Sequence, residues 1–239
     1  MLVRLKFLTA GESHGKSLLG ILDGLPAGFK ISENYIGEQL ARRQMGHGRG
    51  GRMKIESDWA EILCGVRHGY TLGSPVGLKI NNNDWKNWTK KMSIDPISSD
   101  VRKITLPRPG HADLAGVQKF GFDDIRNILE RSSARETAMR VALGSVCRKI
   151  LEELGIEVGS RVTQIHDIKD EAALSPEKTP NQISQLADKS PVRCLSKDKE
   201  KDMILIIDKA KKSGDSVGGV FEVFSTGLPY GLGSPMQWD

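Results

Sequence analysis

Two short glycine-bounded loops carry the histidines best placed to do chemistry. The first, Gly11–Gly15, reads Gly-Glu-Ser-His-Gly, so a carboxylate, a hydroxyl and an imidazole occupy a segment whose backbone can approach a ligand closely. Because an imidazole exchanges its proton near neutral pH, His14 is a candidate proton donor. The alternative for so short a loop is a tight turn in which Ser13 and His14 bond only to backbone.

The second loop, Pro107–Asp113, reads Pro-Arg-Pro-Gly-His-Ala-Asp. Its two prolines restrict the backbone, so Arg108 and His111 would lose little conformational entropy on binding a ligand. Such rigid presentation favours a functional site, and a surface turn with an incidental histidine is the alternative. The histidines and cysteines of the chain show no metal-ligand spacing, so we expect no metal site.

A third segment, Arg131–Ala138, reads Arg-Ser-Ser-Ala-Arg-Glu-Thr-Ala. Ser133 and Glu136 have the spacing of a capping box, which predicts a helix start. The helix start would place free backbone N–H groups and the positive end of the helix dipole beside two serines and two arginines. The segment therefore predicts a phosphate-binding site, with an ordinary helix cap as the alternative.

A further cationic group spans the end of the first predicted helix and the glycine-rich loop that follows it. Its members are Arg42, Arg43, Arg49, Arg52 and Lys54. Several guanidinium groups on one loop can neutralise a polyanionic ligand, which favours a small phosphorylated acid. An RNA-contacting Arg-Gly segment is the alternative, but only 5% of the residues are aromatic and none is interleaved here for base stacking. A solvated basic loop is the third possibility.

Strands and helices must position these segments. Strands are predicted at Leu2–Thr9, Ser17–Leu22, Glu61–Val66, Val76–Ile80 and Val217–Thr226. Helices are predicted from Ser32 to about Gln44, from about Ala134 to Leu154, and twice within Ser175–Lys212, on either side of Ser190-Pro191. The polar stretch from Asn81 to Arg102 carries two tryptophans and reads as an irregular excursion without an assigned role.

The composition indicates a folded protein without membrane spans. Hydrophobic residues make up 38% and charged residues 27%, which is close to the globular average. The net charge of +5 suits nucleic acid, a membrane surface or an anionic metabolite equally well. Three distant cysteines without a Cys-x-x-Cys pair favour reduced thiols. With no apolar run of roughly 20 residues and no signal peptide, we expect a soluble, cytoplasmic protein.

Taken together and in order, four segments resemble the signature blocks of chorismate synthase. They are Gly11–Gly15, Arg43–Arg49, Arg108–Asp113 and Arg131–Ala138. The resemblance implies an α+β fold in which a central helical layer is sandwiched between antiparallel β-sheets. It also implies a single domain over residues 1–239, incomplete at its C-terminus, and a homotetramer.

The resemblance further implies an activity. Chorismate synthases convert 5-enolpyruvylshikimate 3-phosphate to chorismate and phosphate, the last step of the shikimate pathway toward aromatic amino acids. The reaction requires reduced FMN, with NADPH involved only indirectly, for flavin reduction, and no nucleic acid or membrane partner. Because family members continue beyond the equivalent of Asp239 with a catalytic aspartate, we expect this chain alone to be inactive or weakly active. An RNA-binding module and a catalytically dead scaffold are the rival hypotheses.

Site roles follow from the same resemblance, residue by residue. His14 matches the histidine that protonates the departing phosphate, and His111 matches the one that protonates reduced flavin. Ser13 and Ser133 match serines that assist catalysis near the flavin. Substrate-binding roles fall on Arg43, Arg49, Arg108 and Arg135. Cofactor contacts fall on Arg131, Ser132, Ser133 and His111.

Overall fold

The computed structural model describes residues 5–48, 57–97 and 101–232. Contacts divide the chain into two compact units, one formed by residues 1–43 and 51–147 and the other by residues 44–50 and 148–239. One boundary between the units falls inside a helix, after Cys147. The single domain expected over residues 1–239 stays a prediction, and the units are described separately.

The first unit contains two antiparallel sheets. Its strands are β1 (Lys6–Ala10), β2 (Ser17–Asp23), β3 (Ala27–Lys30), β4 (Ala60–Cys64), β5 (Val66–Arg67), β6 (Tyr70–Leu72) and β7 (Val76–Asn81). The larger sheet has the order β1-β2-β7-β4, and the smaller has the order β3-β6-β5. All four strands of the larger sheet were predicted. The smaller sheet was missed because strands of two to four residues are too short to show alternation.

Four α-helices begin within the described residues of the first unit. They are α1 (Glu33–Gln44), α2 (Asp113–Phe120), α3 (Arg126–Leu129) and α4 (Glu136–Glu153). The start of α1 is confirmed, because the Ser32 hydroxyl accepts a hydrogen bond from the backbone N–H of Tyr35 at 3.3 Å. Ile36 and Leu40 form its buried face. The predicted end of α4 is also confirmed, since Gly155 follows with a φ of +75°.

The core of this unit lies where α4 packs on β2. Along β2, Leu18, Gly20 and Leu22 are buried and the residues between them are exposed, which is the alternation of a strand with one covered face. A Cβ atom at Gly20 would lie 2.5 Å from the sulfur of Met139. The missing side chain at Gly20 therefore sets how closely α4 approaches the sheet.

The start of α4 was predicted, but its contacts differ from a capping box. The Ser133 hydroxyl accepts from the backbone N–H of Arg135 at 3.3 Å. The Glu136 carboxylate accepts instead from the Thr9 hydroxyl at 2.7 Å and from Arg140 Nε at 2.8 Å. Burial alone would raise the pKa of Glu136, but these hydrogen bonds outweigh it and lower that pKa. Glu136 thus fastens α4 to β1.

The second unit has one antiparallel sheet and two helices. The sheet is formed by β8 (Glu157–Ile165), β9 (Ile168–Lys169) and β10 (Gly219–Thr226), in the order β10-β8-β9. The helices are α5 (Pro180–Asp188) and α6 (Lys197–Ser213), as predicted. The Ser184 hydroxyl of α5 accepts from the Ser160 backbone N–H of β8 at 2.9 Å. Met203 of α6 packs against Val192 and Cys194 in a small core.

The fold belongs to the predicted α+β class. Strand pairing is antiparallel throughout the described residues. In the same ranges, each helix is too short or too polar to cross a bilayer.

Candidate active site

The loop between β1 and β2 is held by a single acidic residue at the end of α3. Glu130 lies with both carboxylate oxygens close to His14 Nδ1, at 2.9 and 3.0 Å, and accepts from the His14 backbone N–H at 2.8 Å. Its backbone oxygen accepts from the Ser13 N–H at 2.9 Å. Burial alone would raise the pKa of Glu130, but the hydrogen bonds from His14, with the charge of Arg126, lower it. Glu130 is therefore a buried carboxylate that remains ionised at neutral pH.

An aromatic ring covers the other side of His14. Trp88 stacks on the imidazole with ring centroids 3.6 Å apart and planes inclined by 25°. The indole N–H donates to Asp84 at 2.8 Å, which fixes the orientation of the ring. The Arg126 guanidinium lies 5.7 Å from the same ring and 3.5 Å from Glu130. The stretch after Asn81, which had no assigned role, thus supplies one wall of the histidine site.

Arg131 ties the start of α4 to the same loop. Its guanidinium donates to the backbone oxygen of Thr9 at 2.9 Å and to that of Gly11 at 3.3 Å. The side chain is still 42% exposed, so its positive charge can reach a bound anion. Ser132 donates to the Ile128 backbone oxygen at 3.0 Å, while Ser133 is half-buried at the helix start.

A buried carboxylate holds two of the predicted arginines. One Asp58 oxygen accepts from Arg135 at 3.1 Å, and the other accepts from Arg43 at 3.3 Å. Arg43 also donates to the Ala134 backbone oxygen at 3.0 Å, and Arg135 donates to that of Asn81 at 3.3 Å. The side chains of Asp58 and Arg135 are only 1% and 5% exposed. Two guanidinium groups therefore share this carboxylate beside the start of α4.

The network around Asp58 connects to the histidine loop through adjacent residues of the chain. Arg135 contacts Asn81, and the side chain of Asn82 donates to the Gly15 backbone oxygen at 2.8 Å. The backbone N–H of Asn82 donates to Lys16. Fixed hydrogen bonds therefore run from the buried arginine to the loop that carries His14.

The second predicted loop is organised by Asp113. Arg108 donates to both carboxylate oxygens of Asp113 at 2.8 Å, and its backbone N–H donates at 3.0 Å. These bonds lower the pKa of Asp113 to about 2, although burial opposes them. The hydrogen bond from Arg108 to Asp113 is the main cause that raises the pKa of Arg108, and the negative charge of Glu130 adds to it. The charges of Arg108 and Glu130 therefore interact. His111 is exposed in this loop, and its backbone N–H donates to the Arg108 oxygen at 3.3 Å.

Replacing Asp113 with asparagine is expected to destabilise the protein by about 1–2 kcal/mol near pH 7, because a charged, bidentate partner of Arg108 is lost. Because the folded-state pKa is depressed from 3.8, the contribution is present above that value and is lost as the pH falls toward about 2. Urea unfolding of the parent and the variant, repeated at decreasing pH, measures this. A stability difference that stays constant down to about pH 2 would contradict the assignment.

The structure brings most of the predicted residues into related positions. Ser13 and His14 contact Glu130, which immediately precedes the Arg131–Ala138 segment, and Arg43 and Arg135 share Asp58. Arg49 lies outside the described residues, as do Arg52 and Lys54. The substrate-binding role of Arg135 stays a prediction, and its buried guanidinium acts here to fix neighbouring segments.

Three residues of the site were missed by the sequence analysis: Glu130, Trp88 and Asp58. Glu130 immediately precedes the predicted Arg131 segment, and Trp88 is a conspicuous aromatic residue in a polar stretch. These were usable signals. Asp58 had none, because it lies 77 residues from Arg135 and belongs to no motif.

A separate groove lies in the second unit, and its lining residues are not among the predicted site residues. It has a volume of about 590 Å³ and lies between β9 and α6, in segments without a predicted role. It is open and lined by charges of both signs, including Lys169, Glu171 and Asp202. The candidate active site is instead defined by the pairing of His14 with Glu130 and by the nearby arginines. Over the described ranges, we find no group of three or more potential metal ligands.

The fold and the site define an α+β protein that gathers cations and a carboxylate-held histidine at the start of one helix. Such an arrangement suits anion binding and proton transfer. The family model of chorismate synthase matches residues 5–239. The chain therefore belongs to the chorismate synthase family.

Individual relatives agree with the family match. The chain is 52% identical to the chorismate synthase of Enterococcus faecalis and 51% identical to that of Chlorobaculum tepidum, in each case over 98% of this chain. It spans 61% of the length of both relatives. A crystal structure of chorismate synthase matches with a TM-score of 0.73 and 41% identity, covering 94% of this chain and 58% of that one. This match agrees with the predicted sandwich of helices and antiparallel sheets.

Proposed function

We propose that this chain provides the anion-binding and proton-transferring part of a chorismate synthase. The reaction is the 1,4-elimination of phosphate from 5-enolpyruvylshikimate 3-phosphate to give chorismate. The observation that carries the proposal is the pairing of His14 with ionised Glu130 beside the arginine-lined start of α4. Family membership supports it, and because the chain spans 61% of the length of its relatives, the activity of the whole protein belongs to this proposal.

The residues of this chain would hold the substrate and move a proton. The guanidinium groups of Arg43 and Arg135, together with the dipole of α4, would attract the phosphate and carboxylate groups. As the carbon–oxygen bond breaks, phosphate departs with the bonding electrons and a ring proton is lost, so no net oxidation occurs. His14 is the group that would donate a proton to the departing phosphate oxygen.

The residues at the start of α4 fit the phosphate of a flavin. The partly exposed guanidinium of Arg131, the hydroxyl of Ser133 and the helix dipole provide a cation, a hydrogen bond donor and a positive end. When bound, reduced FMN would supply electron density to the electron-poor ring of the substrate. His111, on its exposed loop, is the proposed proton donor to that cofactor. NADPH for flavin reduction, a homotetramer and a cytoplasmic location complete the proposal.

The test is an anaerobic assay with chemically reduced FMN and 5-enolpyruvylshikimate 3-phosphate. It compares the 239-residue chain with a form extended by the corresponding C-terminal region of the Enterococcus faecalis enzyme. We expect the extended form to bind FMN saturably, to bind it more tightly in the presence of substrate, and to release phosphate. The 239-residue chain is expected to turn over slowly or not at all.

Two results would redirect the interpretation. An extended form that binds FMN and substrate but releases no phosphate would support the scaffold hypothesis. Binding of RNA that weakens steeply with salt, without saturable flavin binding, would support the RNA-binding hypothesis instead.

A further inference from the structure

Glu130 touches the histidine loop through its carboxylate, which contacts the His14 ring and backbone, and through its backbone oxygen, which accepts from Ser13. Its side chain is 1% exposed. An ionised carboxylate has no proton to donate and only accepts hydrogen bonds. The hydrogen between Glu130 and the imidazole must therefore sit on His14 Nδ1.

We propose that Glu130 is a positioning residue that fixes one proton on His14 Nδ1, so that the cationic imidazolium gives its second proton, on Nε2, to the leaving group and returns to the neutral Nδ1-protonated form. The two carboxylate oxygens straddle Nδ1 at nearly equal distances, which orients the imidazole about the Cβ–Cγ bond. Stacked Trp88 blocks the remaining tilt of the ring. The inference rests on the proposed function only for the role of His14 as the acid.

The charges around the imidazole come from several segments. Glu12 is in the same loop as His14. Arg126 lies in α3, and Glu130 is the residue that follows α3. Lys91 lies 5.0 Å from the Trp88 ring, and Arg108 interacts electrostatically with Glu130. Of these groups, Glu130 is the one in hydrogen bond contact with the imidazole. The location of the ring proton therefore depends first on Glu130.

The experiment measures the tautomer directly. In the 239-residue chain labelled with ¹⁵N at histidine, the Nδ1 and Nε2 chemical shifts of neutral His14 report which nitrogen carries hydrogen. The spectrum of His14→Asn assigns the resonance among the five histidines. We expect His14 to be protonated on Nδ1 when neutral, and Glu130→Gln to shift it toward the Nε2-protonated tautomer. A parent His14 that carries hydrogen on Nε2 when neutral overturns the proposal, whatever the variants do.

Kinetics of the extended form provide the second arm. We expect Glu130→Gln to lower kcat about 10- to 100-fold with a smaller change in KM, because the loss of an orienting partner impairs proton transfer more than binding. Glu130→Asp, which keeps the acceptor charge, should recover part of the rate and the parent tautomer. Thermal unfolding of both variants identifies any loss due to misfolding.

The two arms separate the two claims. A normal tautomer and rate in a folded Glu130→Gln protein would refute the positioning role alone. The expected tautomers combined with full activity of a His14 variant would refute the proposed role of His14 in the reaction, while leaving the pairing intact.

Discussion

Replacing Asp58 with alanine is expected to lower the free energy of unfolding by about 3–5 kcal/mol, because it removes a buried carboxylate that accepts from the buried guanidinium of Arg135. Arg135 and Arg43 both donate to this carboxylate, and its side chain is 1% exposed. A folded domain has only about 5–15 kcal/mol of stability, so a large share of it would be lost. Urea or thermal unfolding followed by circular dichroism measures the change.

Asp123 offers a matched control for this substitution. It is also an aspartate paired with a cation, Lys103, but its side chain is 78% exposed. Asp123→Ala should therefore cost much less stability than Asp58→Ala, since exposed ion pairs contribute little. Equal losses at the two positions would mean that the buried cluster is no more important than a surface pair.

Substituting His14 with asparagine is expected to reduce kcat of the extended form by about 10²–10⁴-fold, the usual contribution of a positioned acid. Asparagine retains a side-chain donor for Glu130, so the loop should keep its hydrogen bond while losing its titratable group. The effect on KM should be smaller, because the cations at the start of α4 are unchanged. Steady-state kinetics of phosphate release measure both parameters.

His68 provides the comparison for that variant. It is exposed in the turn between β5 and β6 with a φ of +52°, a conformation that asparagine tolerates. His68→Asn should keep the parent rate. If His14→Asn were equally active, His14 would not be the acid.

The elements that the sequence predicted are those with local signals. Ser32 and Gly155 mark a helix start and a helix end, and Ser190-Pro191 separates α5 from α6. The strand β2 was also predictable from its sequence, because one of its faces is buried. In contrast, β8 was missed, although eight of its nine residues pair with β10, because polar side chains occupy both of its faces.

The site was only half predictable for a related reason. The motifs identified His14, Arg131 and Arg135 because histidine, arginine and serine cluster there within a few residues. Their partners are determined by the tertiary fold, since Asp58 is 77 residues from Arg135 and Glu130 is 116 residues from His14. The predicted capping role of Glu136 was wrong for the same reason, because its carboxylate accepts a hydrogen bond from Thr9 on a distant strand.

The long separation between His14 and Glu130 has a consequence for biosynthesis. During translation, the loop that carries His14 is synthesised 116 residues before its counterion. Closing so distant a contact is slow and depends on the intervening strands having assembled. In a nascent or partly folded chain, His14 therefore lacks the partner that orients it. Its ring is oriented only when the first unit reaches its native topology.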